Sequence, residues 1–487
     1  MNDNLLKELA DIVGKEHVIE AVQLRERARH FWDASPLIAM GLIRPANTDE
    51  TSRVMAACHR AGQRVVTHGG VTGLVEGDRT GAEDIVLSLE RQRNISEVDT
   101  IGRTIVVEAG AILQNIQNAA NEADLMLGLD LGARGSCTIG GNISTNAGGL
   151  SVLRYGMARE QVLGLEVVLA DGTILSSMNA MMKNNAGYDL KHLFIGSEGT
   201  LGVITRAVLR LRAATPHSST ALLAFSQFTD VTQCLKHLDH SLNGTLNAFE
   251  VMWQPFYRLN TDPSRTDTVQ APLARDYPLY AIVQSSSASS QFSAPALEHA
   301  LESLLEAGCI EDAVIAQSEK EASNIWFIRE HIDIALEPSL NFVYDISLPI
   351  ACMQHYVEEL EREVHATWSE VQLHVYGHIA DGNLHIIVCP SENSECSREL
   401  DQLLESTDST DTVSTIHEQW HAYSNQLVYT PLQEMGGSIS AEHGIGLLKK
   451  DYLKLSRSTA EVNLMKTLKQ TLDPKNLLNP GKIVSLE

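Results

Sequence analysis

Positive charge is scarce in this chain. Thirty-seven Lys and Arg stand against 62 Asp and Glu, a formal charge of −25 over 487 residues. Such a surface repels phosphate backbones and anionic lipid, so no nucleic acid is expected as a partner, while a local basic pocket could still hold a small anion. Long apolar runs are missing too. None reaches the roughly 18 residues of a membrane span, so no transmembrane segment is expected and any membrane contact is peripheral. The opening stretch MNDNLLKELADIVGKEHVIEA lacks a basic region followed by an apolar one, and nothing in it marks the chain for export. The cysteines number only seven, an odd count, and are never spaced CxxC. That pattern suits a reducing cytoplasm and gives no support to an iron–sulfur cluster or a zinc knuckle.

At 487 residues the chain exceeds one ordinary core, and two or three domains are expected. From Ile43 to about Arg212, short β-branched runs alternate with helical patterns. Asn47 followed by Glu50 reads as a capping box opening a helix that buries Val54, Met55 and Cys58 and closes at Gly62. Strands follow at QRVV, DIVLSLE, TIVVEAGA, VLGLEVVLADGTIL and LGVITRAVLRLR, with Asp171-Gly172 as a hairpin turn. After Arg212 the texture changes to strands such as LYAIVQ, FVYDISLPI and VQLHVYGHI and longer amphipathic helices such as ALEHALESLLEAG. A Ser-rich stretch, SSSASSQFSA, reads as surface, and residues 391–414 as a polar loop. The tail has a strand-like entry, a helix and a Pro/Gly terminator.

Two glycine-rich segments stand about 60 residues apart, each after a strand. In the first, His68, Gly69, Gly70, Val71, Thr72, Gly73 and Leu74, successive backbone N–H groups can form an anion nest. It is neither a Walker loop nor a GxGxxG fingerprint. The second carries Gly132, Gly135, Gly140, Gly141, Gly148 and Gly149, with hydroxyls at Ser136, Thr138, Ser144 and Thr145. Together they suit a long diphosphate ligand held by backbone amides, against the plainer reading of surface loops.

HIADGNLH, residues 378 to 385, places two histidines around Asp381-Gly382, a pair suited to a type I′ turn. In that register His378 faces His385, and two imidazoles converge on one ion. An ordinary hairpin with half-exposed histidines is the alternative. SAEHGIG adds Glu442 and His443, neighbours that point to opposite sides of an extended segment. With the two histidines, Glu442 completes a His, His, Glu set that leaves a position open, as in catalytic zinc sites. Arg329, on the helical pattern IWFIREHIDIAL, is either a salt-bridged arginine or a bidentate clamp on a substrate carboxylate.

VVTHGGVTGLVEG, DLGARGSCTIGGNISTNAGG, GSEGTLGVIT, GHIADGNLH, SISAEHGIGLLKKDYL and LDPKNLLNPGK, in this order, resemble the FAD-linked D-2-hydroxyacid dehydrogenases, flavoproteins of the vanillyl-alcohol oxidase type. The match runs from about residue 40 to the C-terminus. It implies an α+β fold: a two-subdomain FAD-binding domain of the p-cresol methylhydroxylase type (1–213), an α+β substrate cap with the metal hairpin (214–430), and a C-terminal segment (431–487) returning to the flavin. FAD is implied to be non-covalent, since Val71 follows Gly69-Gly70; His68 stands where relatives often have Gln. Besides the glycine-rich segments, the resemblance assigns Asn142, Asn146, Gly199, Val203, Glu442 and Asn479 to the flavin. It assigns His378, His385 and Glu442 to a divalent metal, usually zinc, His443 to the catalytic base, and Arg329 to the substrate α-carboxylate.

The implied reaction oxidises a D-2-hydroxy acid to the 2-oxo acid, with hydride to flavin N5 and electrons to an external acceptor: an electron-transfer flavoprotein, a quinone or a cytochrome. Positions that in 2-hydroxyglutarate dehydrogenases carry Thr, Lys and Asn around the distal carboxylate are here Asp333, Val343 and Ile387. An apolar pair plus an acid cannot neutralise a second carboxylate, so a substrate other than 2-hydroxyglutarate is expected. Two rivals stand beside this reading: a flavoprotein subunit of a glycolate-oxidase-like complex, and a non-catalytic scaffold with a vestigial flavin fold. The location expected is cytoplasmic, with room for a peripheral membrane contact, and a homodimer is an admissible assembly.

Overall fold

The computed structural model describes residues 2–265, 270–336, 341–368, 370–390 and 410–486. The chain forms two compact units, residues 1–214 with 442–487, and residues 215–441. The second is thus an insertion into the first.

In the first unit, Asn47 caps the helix Thr48–Ala61, its side chain accepting from Glu50 N at 2.9 Å, and Gly62 ends it with φ 68°. A cap of this kind is worth about 1 kcal/mol. The helix buries Val54, Met55 and Cys58 against the unit's core, as its sequence spacing predicts. A four-stranded sheet runs in the order Val18–Glu20, Gly41–Ile43, Ile85–Ser88, Val65–His68. Its last three strands are parallel. A second, antiparallel sheet is built on Val203–Ala213, flanked by Val162–Val168 and Thr104–Glu108. Asp171-Gly172 does make the hairpin between Val162–Val168 and Ile174–Ser177. The helix Thr459–Leu472 opens on a reciprocal capping box between Ser458 and Glu461.

The C-terminal residues of this unit return to its parallel sheet. Leu478 bridges Val65, and the Asn479 side chain accepts from Thr67 N at 2.9 Å while donating to Glu198 O at 2.7 Å. This tie, made by both ends of the Asn479 amide, closes the sheet edge beside the first glycine-rich segment.

The second unit is a seven-stranded antiparallel sheet in the order Asp312–Ile315, His217–Phe225, Leu279–Ser287, Leu246–Trp253, Val371–His378, Asn383–Pro390, Phe342–Ser347. Helices including Glu319–Glu330 and Ser290–Glu306 pack against it. Three sequence expectations change here. Ser285, Ser286 and Ser287 extend a buried strand rather than lying on the surface, and Ser285 pairs its hydroxyl with Thr245 at 3.0 Å, which makes the burial affordable. The helical run around Arg329 breaks at His331 into Glu319–Glu330 and Asp333–Leu336. The expected boundary at 430 falls inside the helix Thr410–Met435, which belongs to this unit because Tyr356 donates to Val428 O and Ser347 pairs with Ser438. Of the polar stretch 391–414, residues 391–409 lie outside the described residues, and 410–414 are helical.

Candidate active site

In the first unit the two glycine-rich segments meet. A Cβ on Gly69 would lie 2.5 Å from Thr138 Oγ1, and one on Gly70 would strike Ser136 O and come within 2.8 Å of Cys137 Cα. Side chains are excluded there, so backbone from both segments lines one place. The second segment is not all loop: Ile139–Thr145 is a short helix, and Gly140 is required because any Cβ would run into Ala109. Val71 and Asn146 take left-handed φ of 47° and 53°.

Thr138 Oγ1 and Asn142 Oδ1 are buried and have no hydrogen-bond partner. Buried polar atoms are rarely left so. They fit a ligand rich in polar groups, and bare glycine backbone beside them fits a diphosphate, so these residues suit FAD. His68 is buried with a ring nitrogen 2.8 Å from Asp78 O, and burial holds its pKa below the ordinary range. Ser144 O accepts from Glu198 N at 2.8 Å, and Thr145 Oγ1 donates to Gly141 O at 3.2 Å. Thr72 and Gly73 complete the first loop, and Leu74 is exposed. Gly199, at φ 71°, lies against Asn479, where a Cβ would be 2.9 Å from Nδ2. Gly135 sits near Gln114, and Val203 is a core residue of its strand.

The Glu-His segment is anchored in the same unit by a residue that sequence reasoning missed. Glu198, buried, accepts from Ile445 N at 2.7 Å and Gly446 N at 2.8 Å. Burial pushes its carboxyl pKa up even though these amides favour the charged form. The Glu442 carboxylate lies against Gly148, where a Cβ would be 2.7 Å from Oε2. Glu442 and His443 are both half-buried.

In the second unit the two histidines do share a face, through a different register. Tyr376, not His378, pairs with His385, and residues 379–381 form a 3-10 turn closed by Gly382 at φ 91°. Only Gly382 has positive φ, so the turn is not type I′. Because side chains alternate, Tyr376, His378 and His385 still point to one side. The His378 and His385 ring centroids are 5.3 Å apart.

Two buried carboxylates, neither anticipated, fix this face. Glu250 pairs in register with His378, accepts from its Nδ1, and accepts from Arg329 Nε at 2.9 Å. Burial drives the Glu250 carboxyl up, but His378 and Arg329 outweigh it and the net pKa is below the ordinary value. The salt-bridged reading of Arg329 is therefore correct for its Nε. Its Cζ stands 4.4 Å from the Tyr376 ring centroid. Asp345, opposite His385, accepts from Asn383 Nδ2 at 2.9 Å and from Ala441 N at 3.1 Å. With Nδ1 of His378 donating, a neutral ring carries its lone pair on Nε2, and a His, His, carboxylate donor set of this kind suits zinc.

Further along the same face lie His374, Ile387 and Val343. Ile387 is fully buried in the unit's core with Ile328 and Ala335, Val343 is 41% exposed, and Asp333 is exposed.

His374 gives a pH prediction. Burial lowers its pKa to about 4, only partly offset by a backbone hydrogen bond at Pro255. Below pH 6.5 the unfolded chain takes up a proton that the folded chain refuses until about pH 4, so stability falls with pH through this window, by about 2 kcal/mol at pH 5. His374→Phe removes that proton. Its unfolding midpoint should drop less than the wild type's between pH 7 and pH 5, and parallel curves would refute the assignment.

Comparison with known proteins identifies the family. Residues 39–177 match the family model for the FAD binding domain, and residues 214–483 match that for the FAD linked oxidases, C-terminal domain. The chain is 38% identical to a D-2-hydroxyglutarate dehydrogenase of Xanthomonas citri pv. viticola, over 93% of this chain and 90% of that protein. It is 37% identical to the mitochondrial D-2-hydroxyglutarate dehydrogenase of Rattus norvegicus (91% and 77% covered). It is 34% identical to a putative mitochondrial D-lactate dehydrogenase of Schizosaccharomyces pombe (91% and 81%). Among solved structures it is similar in fold to p-cresol methylhydroxylase with substrate bound, TM-score 0.72 at 13% identity, covering 99% of this chain and 97% of that one. The two family models and these relatives define a flavoprotein oxidoreductase of the FAD-linked oxidase class. Within that class, the chain belongs to the FAD-linked D-2-hydroxyacid dehydrogenases. Among the described residues no helix is long and apolar enough to cross a membrane.

Proposed function

We propose that the protein oxidises a D-2-hydroxy monocarboxylate to its 2-oxo acid, using FAD and a divalent cation, zinc by preference, and passes the electrons to an external acceptor. The observation that carries this reading is the Glu250 carboxylate, which orients Arg329 and His378 together beside His385.

FAD, when bound along the glycine-rich segments, supplies the two-electron acceptor. The cation, held by His378, His385 and Glu442, supplies Lewis acidity toward the substrate's hydroxyl and carboxylate. Arg329 binds the α-carboxylate through its terminal nitrogens, its Nε being engaged by Glu250. His443 takes the hydroxyl proton as general base. None of Asp333, Val343 and Ile387 offers a cation to a second carboxylate, and an unpaired buried carboxylate is costly. D-2-hydroxyglutarate, the substrate named for several relatives, is therefore a poor substrate here.

Anaerobic addition of D- and L-2-hydroxy acids, before and after chelation, tests all of this in one spectrum. A D-monocarboxylate should bleach the flavin, the L-form should not, and chelation should abolish the bleaching. Rapid bleaching by D-2-hydroxyglutarate would overturn the substrate argument. A yellow protein bleached by no hydroxy acid would point to the multi-subunit complex instead.

A further inference from the structure

We infer that Glu250 is a positioning residue that sets the metal-binding nitrogen of His378 and the carboxylate-binding edge of Arg329 at the same time. This deepens the proposed function and rests on it. Glu250 lies on the strand Leu246–Trp253, between Phe249 and Val251, and its side chain is 1% exposed. A carboxylate buried between apolar neighbours demands partners.

Both partners are donors. Oε1 accepts from His378 Nδ1 and Oε2 accepts from Arg329 Nε at 2.9 Å. A carboxylate, with two acceptor oxygens, satisfies both. Consequently His378 is held in the tautomer whose Nε2 can ligate a cation. Arg329, engaged through Nε and faced by the Tyr376 ring, has its guanidinium plane fixed with the Nη edge as the remaining fork. An amide cannot replace this. Glutamine has one acceptor and one donor group, so its NH2 would confront either His378 Nδ1–H or Arg329 Nε–H. The histidine could accept that hydrogen only by moving its own proton to Nε2, which removes the ligating lone pair. One carboxylate thus couples metal affinity to substrate affinity.

The test uses the full-length, FAD-loaded protein and two binding measurements. Zinc affinity is measured by competition with a colorimetric chelator, and pyruvate affinity by perturbation of the flavin spectrum in metal-stripped protein. Glu250→Gln should bind zinc about 10–100-fold more weakly. It should also bind pyruvate about tenfold more weakly, the order expected when a charged hydrogen bond is lost. Flavin content should stay unchanged in both states. A merely structural ion pair would lower the melting temperature and leave both affinities alone. Affinities matching wild type in a folded, yellow variant would overturn the inference. If Glu250→Gln does not fold, Glu250→Asp carries the same readouts: its oxygens are withdrawn by one methylene, so both affinities should fall, and unchanged values would overturn the inference. Wild-type protein that binds no zinc would overturn the metal reading by itself. The pyruvate measurement would then decide the Arg329 half, weakened binding supporting it and unchanged binding overturning it.

Discussion

His443→Ala is expected to lower kcat by about 10²–10⁴-fold, the range for loss of a general base, while the protein keeps its flavin. The separation of the two effects follows from how the segment is held. Glu198 grips the backbone N–H groups of Ile445 and Gly446, and Gly446 lies against Val75 with no room for a Cβ. None of these contacts uses the imidazole, so deleting it leaves the loop anchored. Rapid mixing with the best D-acid under anaerobic conditions reads the rate of flavin reduction directly. Reduction within a few-fold of the wild-type rate would remove His443 from the reaction.

The second large effect is expected at Gly70. A Cβ there would meet two backbone groups of the other glycine-rich segment, Ser136 O and Cys137 Cα. Backbone cannot swing aside as a side-chain tip can, so Gly70→Ala must push the two segments apart. Overpacking of this sort costs about 1–3 kcal/mol, and it falls on the lining proposed for FAD. At about 1.4 kcal/mol per tenfold, flavin affinity should fall by up to roughly 100-fold. The flavin-to-protein ratio after purification and dialysis measures it. Gly73→Ala is the control, since a Cβ there meets nothing within 4 Å. Equal flavin retention in the two variants would show that the close approach does not matter.

Much of this is legible in the amino-acid sequence alone. The capped helix after Asn47, the Asp171-Gly172 hairpin and the alternating strands are local patterns, and local patterns carry their own physics. The glycine-rich segments announced themselves as backbone-lined. The hairpin around His378 was read correctly in outcome and wrongly in register, because Asp-Gly also fits a 3-10 turn with only the glycine at positive φ. Side-chain alternation rescued the shared face.

What sequence reasoning missed were the buried acids Glu250, Asp345 and Glu198. The signal was present in two of them: FEVMW and VYDIS each place one acid in an apolar strand, where a charge is costly without partners. The identity of the partners was not legible, because Glu250 and His378 are 128 residues apart and no short-range rule joins them.

The tie made by Asn479 also has a consequence in time. Thr67 waits for a partner 412 residues further along the chain. At synthesis rates of about 5–20 residues per second, that partner is made roughly 20–80 s later. Through that interval the strand beside the first glycine-rich segment has an unfinished edge, and the whole of the inserted second unit is made before the edge can close. The sheet edge beside the first glycine-rich segment is therefore completed only after the entire second unit has been made.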